Sequence, residues 1–162
     1  MADLIILIPM AYIAILAIPL VITDLREHRL PNPMTISAVA VTSVFLIVQG
    51  YISSDWARPL SGFVAGGITF YAGYLLAKRD AIGMGDVKLL TSLNAIAGFF
   101  SPMLVIISLT AGLVIATLAS LILYLLKRMT IKSLLPLGPY LLLGFFLSVG
   151  PNAFFLTAEV LS

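Results

Sequence analysis

The sequence predicts an all-α integral membrane protein, a polytopic bundle of about six transmembrane helices. Hydrophobic residues fill 61% of the 162 positions and charged residues only 10%, with a mean hydropathy of +1.15. The apolar positions also fall in runs long enough for a bilayer core, which takes about 20 helical residues to cross. A water-soluble domain of this length leaves much of its area in solvent and cannot hide so much apolar surface. Lipid is therefore the expected solvent, with residues 1–162 forming a single membrane-embedded domain.

The first run, near 4–23, sits where a signal peptide would. Asp3 precedes it and no Lys or Arg comes before Arg26, so the basic segment that opens a signal peptide is missing and the run reads as a retained span. The second, near 33–53, follows "RLPNPMT", in which Asn32 is suited to cap a helix and Pro33 to occupy its first turn. The third, near 60–78, contains Gly62-x-x-x-Gly66, a spacing that lets another helix approach closely. The fourth, near 87–101, is short and carries Thr91, Ser92 and Asn94. It is expected to lie half-buried among its neighbours, its polar side chains bonding across helices. The fifth and sixth are placed near 103–126 and 138–160.

Charge orients the bundle. Arg26, Arg29, Lys78, Arg79, Lys88, Lys127, Arg128 and Lys132 fall in the first, third and fifth loops, and only Arg58 lies in an even one. By the positive-inside rule the odd loops face the cytoplasm and both termini lie outside, in the cell membrane. The net charge of +2, with no basic run, speaks against a nucleic-acid partner. No cysteine is present, which removes thiol nucleophiles and Cys-ligated zinc, and the lone His28 cannot build a histidine metal site. Neither a metal nor a cofactor is expected.

The chemistry then rests on the acids. Asp3, Asp55 and Glu159 fall on the outer side as solvated ends, and Glu27 and Asp80 lie among basic residues of the cytoplasmic loops. Asp24 follows the apolar run "AILAIPLVIT" at a helix C-terminus, where the dipole disfavours an anion; an interfacial acid paired with Arg26 or Arg29 is its simplest role. Asp86, in "AIGMGDVKLL", suits the N-cap of the fourth helix, with Gly83 and Gly85 shaping the turn before it. Both acids nevertheless fall on one membrane face. Two adjacent carboxylates sharing a proton are what acid–base hydrolysis of a peptide requires, one taking a proton from water and the other polarising the carbonyl. The two glycines remove side chains near Asp86 and so leave room for an extended peptide.

Three stretches, "TDLREHRLPN" (23–32), "GMGDVKLL" (83–90) and "PLGPYLLLG" (136–144), together resemble the type IV prepilin peptidases, including archaeal preflagellin peptidases, which are membrane aspartyl proteases of the GxGD type. The first matches D-x-x-x-x-x-[IL]-P-N and the second G-x-G-D-x-K-L, so the resemblance makes Asp24 and Asp86 the catalytic acids. It makes Lys88, Gly83, Gly85, Pro31, Asn32, Pro136, Gly138 and Pro139 the substrate-binding or supporting set. It also implies that residues 1–162 form one peptidase domain, and that the substrate is a pilin-like or flagellin-like precursor with a basic leader ahead of a hydrophobic helix. Leu137 stands where the family usually has an aromatic residue. The paired C-x-x-C motifs that many bacterial members carry for N-methylation are not in the sequence, so cleavage without methylation is expected. Two other classes compete with a peptidase: a small proton-coupled transporter, and a non-catalytic subunit of a pilus or secretion machine. The oligomeric state is left open.

Overall fold

The computed structural model describes residues 2–27, 29–126 and 136–161, with side chains described for 4–27, 29–126 and 136–155. His28, Lys127, Arg128, Lys132 and the side chains of Asp3 and Glu159 lie outside those residues. A 3-10 turn, Ala2–Ile6, leads into six helices: α1 (Leu7–Glu27), α2 (Asn32–Ser53), α3 (Ala57–Ala77), α4 (Met84–Phe100), α5 (Pro102–Leu125) and α6 (Gly138–Leu161). No strand occurs among the described residues. All six expected helices are present. Five of them, α1, α2, α3, α5 and α6, are long and apolar enough to cross a bilayer, as in a multi-pass membrane protein.

The helices end where local chemistry says they should. Ser54 closes α2 in the left-handed region, φ 54°. Ser101 caps α5, its Oγ accepting the Met103 N–H at 3.2 Å, and Pro102 occupies the first turn, where its missing N–H costs nothing. A single extended residue, Ser101, thus turns α4 into α5.

The fourth helix is the centre of the bundle rather than one wall of it. It packs against α2, α3, α5 and α6, and Val87, Leu89, Leu93, Ile96, Ala97 and Phe99 are buried. At 17 residues it is shorter than the others, and neighbours cover most of its sides. Its polar residues divide. Asn94 Nδ2 donates across to Thr69 Oγ1 of α3 at 2.9 Å, as the sequence suggested. Thr91 and Ser92 turn back to carbonyls of their own helix, Val87 O and Lys88 O, and cross no interface by those bonds.

Small residues bring α3 and α4 together. A Cβ added at Gly62 would lie 2.6 Å from the Ala95 carbonyl oxygen, and one at Gly66 would lie 3.1 Å from Ala95 Cβ. From the other side, a Cβ at Gly98 would lie 2.6 Å from Ala65 Cβ and 3.0 Å from Ser61 O. Gly62-x-x-x-Gly66 is therefore the surface on which the central helix lies. Gly144 of α6 plays the same part against Gly112 of α5, whose backbone a side chain would strike. The outward faces carry Ile15, Ile18, Val64, Ile68, Leu125 and Phe154, all more than half exposed, as a lipid-facing surface requires.

Replacing Gly98 by Val should destabilise the fold by about 1–3 kcal/mol through overpacking. Gly67→Ala, where an added Cβ meets nothing within 4 Å, should be close to neutral. Thermal unfolding in detergent checks both.

Candidate active site

Three connections meet at one end of the bundle: the end of α1, the start of α4 and the start of α6. Asp24 lies in the last turn of α1 and is 4% exposed. Its Oδ2 accepts the backbone N–H of Gly138 at 2.8 Å, a buried bond between residues 114 positions apart. Gly138 is the first residue of α6, so this N–H is one of the donors a helix leaves unpaired at its N-terminus. The carboxylate thereby faces the positive end of the α6 dipole, which offsets its unfavourable place at the negative end of α1. A Cβ at position 138 would lie 2.8 Å from Asp24 Oδ2, too close for the acid to keep that place.

Asp86 lies in the first turn of α4, outside the five bilayer-crossing helices. It is not the N-cap. That position belongs to Gly83, in extended backbone (φ −70°, ψ 141°) with no side-chain cap. Burial first, and then the charge of Asp24, push the Asp86 carboxyl up from 3.8 to about 6, while a hydrogen bond with the Gly83 backbone pulls it the other way. The influence of Asp24 means that the two carboxyls interact. Asp86 Oδ1 is buried with no hydrogen-bond partner among the described residues, a costly state for an ionised carboxylate and a further reason for the acid to hold its proton.

The glycines of the tetrad have different duties. A Cβ at Gly83 would meet Asp86 Oδ2 at 3.1 Å, so that position does keep the surroundings of the acid clear. Gly85 does not open space for a peptide, because Leu30 fills it: a Cβ there would lie 2.8 Å from Leu30 Cβ and 3.0 Å from Leu30 O. This glycine admits the α1–α2 connection against α4. The same Leu30 approaches Gly138, where an added Cβ would lie 3.3 Å from its Cδ2. Leu30 is buried and was not singled out from sequence, although the branched apolar position in D-x-x-x-x-x-[IL]-P-N marks it.

Asn32 does not cap α2 either. The helix opens at Asn32 itself, and Pro31 is the N-cap residue, with no side-chain cap bond. The Pro31 carbonyl instead accepts the N–H groups of Met34 and Thr35, both at 3.2 Å. The Asn32 side chain is thus free to work between helices, and its Oδ1 accepts from Lys88 Nζ at 2.8 Å. Pro139 fits the first turn of α6, behind Pro136 and Leu137 in the non-helical approach. The Leu137 carbonyl closes that turn by accepting from Tyr140 and Leu141. Glu27 and Asp80 are exposed, and Asp80 has a left-handed backbone, φ 56°.

Residues 11–119 match the type IV leader peptidase family. The chain is 30% identical to a prepilin leader peptidase/N-methyltransferase of Dickeya chrysanthemi over 121 residues, 73% of this chain and 41% of that protein. It is also 30% identical to one from Escherichia coli K12 over 134 residues, 80% of this chain and 56% of the relative. A third, from Pectobacterium carotovorum, is 28% identical over 128 residues, 77% and 44% of the two chains. The chain thus spans about half the length of these relatives. No solved structure matches.

Infrared titration of the Asp86 carboxyl should give a midpoint near 6. In Asp24→Asn the midpoint should fall, because a neighbouring negative charge is gone, yet stay above 3.8 because burial remains. An unchanged midpoint would show that the acids do not interact.

Proposed function

The chain belongs to the type IV leader peptidase family, and from that premise we propose that it is an aspartic endopeptidase cutting the basic leader from type IV pilin-like precursors. Asp24 and Asp86 are the catalytic pair, within one peptidase domain over residues 1–162. The observation that carries this reading is the meeting of all three motif stretches around one acid: Asp24 bonds Gly138 and its charge acts on Asp86.

The mechanism follows from how a carboxyl pair ionises. Two adjacent acids resist losing both protons, so one proton is shared and titrates as a property of the pair. Asp86, raised to about 6, is the member that keeps it. Asp24, held by the Gly138 amide, takes a proton from a water molecule that attacks the scissile carbonyl carbon. Asp86 gives its proton to the carbonyl oxygen, which makes a tetrahedral carbon with two hydroxyls. The C–N bond breaks as Asp24 passes the proton it received to the leaving amine and Asp86 takes one back from a hydroxyl, which leaves the new carboxyl group and the pair as it began. Gly83 leaves the side of Asp86 open for the extended backbone of the substrate.

Orientation comes from the basic loops. Arg26, Arg29, Lys78 and Arg79 flank the end of the bundle that carries the acids, and by the positive-inside rule this supports a site at the cytoplasmic face of the cell membrane with both termini outside. A precursor with a cytoplasmic leader and a membrane-borne hydrophobic helix meets the site there, and the exposed Glu27 and Asp80 attract its basic leader. Only cleavage is proposed, since the C-x-x-C pairs associated with methylation are not in these 162 residues. A proton-coupled transporter would want acids at mid-span, and Asp24 and Asp86 both lie at one end of the bundle.

Co-expression with a pilin precursor tests the proposal through leader removal. Asp24→Asn and Asp86→Asn should each cut the rate by about 10²-fold or more, the scale of a lost general acid or base, with the protein still inserted. Retained cleavage in either variant would overturn the assignment, and a non-catalytic subunit would show no cleavage even as wild type. Activity in the intact enzyme should also fall as pH rises past about 6, because the shared proton is then lost. A pH–rate profile of kcat/KM reads that limb.

A further inference from the structure

Lys88 follows Asp86 by two positions on α4, and side chains two apart on a helix do not face each other. Its ammonium therefore reaches away from the acid, to Asn32 Oδ1 at 2.8 Å. Asn32 is the first residue of α2, two positions after Leu30, the residue that fills the space beside Gly85 and approaches Gly138. The α1–α2 connection is thus gripped by the starts of both α4 and α6. The contacts of Gly85 and Gly138 with Leu30 are van der Waals in kind, so they set a separation but not a register. The Lys88–Asn32 bond is directional and charge-assisted, and it is made by a side chain that neither caps α2 nor meets an acid.

We propose that Lys88 and Asn32 are a pair of positioning residues, a tether that fixes the start of α4 against the α1–α2 connection and so sets the spacing of Asp24 and Asp86. The tether's effect on catalysis rests on the assignment of those acids above, while its effect on geometry does not. A misplacement near 1 Å costs a catalytic pair about 10²-fold, so loss of the tether lowers kcat and leaves KM nearly unchanged.

The test uses the full chain in detergent. Lys88→Met and Asn32→Leu should each lower kcat for leader cleavage by about 10-fold to 10²-fold, and the double variant should be no worse than the poorer single. Lys88→Arg and Asn32→Asp, which keep a donor and an acceptor, should restore most of the activity. The chain has no native cysteine, so nitroxide labels at Arg29→Cys and Ala81→Cys, both exposed positions, report the spacing of the two connections without substrate. Their distance distribution should broaden or shift in Lys88→Met and Asn32→Leu but not in Lys88→Arg. Additive losses, equal losses in Lys88→Arg and Lys88→Met, or an unchanged distance distribution would overturn the tether. If the wild type cleaves no precursor, the proposed function fails, and the label distances still decide the tether.

Discussion

Everything at the candidate site depends on one hydrogen bond, from the Gly138 amide to Asp24 Oδ2. A carboxyl at the C-terminal end of an apolar helix has the backbone field against it, and burying it adds a desolvation cost. The bond answers both by bringing the opposite end of another helix dipole to the acid, together with a donor that α6 cannot use internally. Only a residue without a side chain permits that approach. Once Asp24 is held there, the environment of Asp86 follows, since the neighbouring charge acts with burial to raise its carboxyl to about 6.

The bundle supports this arrangement from its middle. Because α4 is surrounded by four helices, the acid it carries is held by a rigid, closely packed element and not by a lipid-facing wall. Glycine and alanine contacts along α3 fix the height and rotation of α4, and that rotation decides where Asp86 points. The same small residues explain how a helix carrying Ser92 and Asn94, both 1% exposed, sits at the core of an apolar protein. Ser92 Oγ bonds within α4 and Asn94 Nδ2 bonds Thr69 on α3, while Asn94 Oδ1 is buried with no partner among the described residues, and the close approach shields both side chains from hydrocarbon.

Much of this was legible in the sequence because it is written in local signals. Six helices followed from run length, and the two acids from their shared end of the bundle and the motifs around them. The short fourth run with its polar residues pointed to burial, though not to a central place, because contact with four neighbours is a property of the packed bundle. By residue type both Asn32 and Asp86 suit helix caps, but a tertiary contact takes the first and the local start of α4 displaces the second. Lys88 takes the Asn32 side chain, and the Gly83 backbone starts α4 so that Asp86 falls within the first turn. At Gly85 the sequence shows a missing side chain and not what fills its place. That occupant, Leu30, lies 55 positions earlier.

The bond between residues 24 and 138 also orders events in time. Asp24 is made with α1 and Gly138 with α6, so a growing chain carries the acid long before it has the donor that holds it. Until α6 enters the bilayer, the site lacks one of its walls and the amide that fixes one of its two acids. The candidate site is thus completed only when α6 packs against α1, however early the acid itself is made.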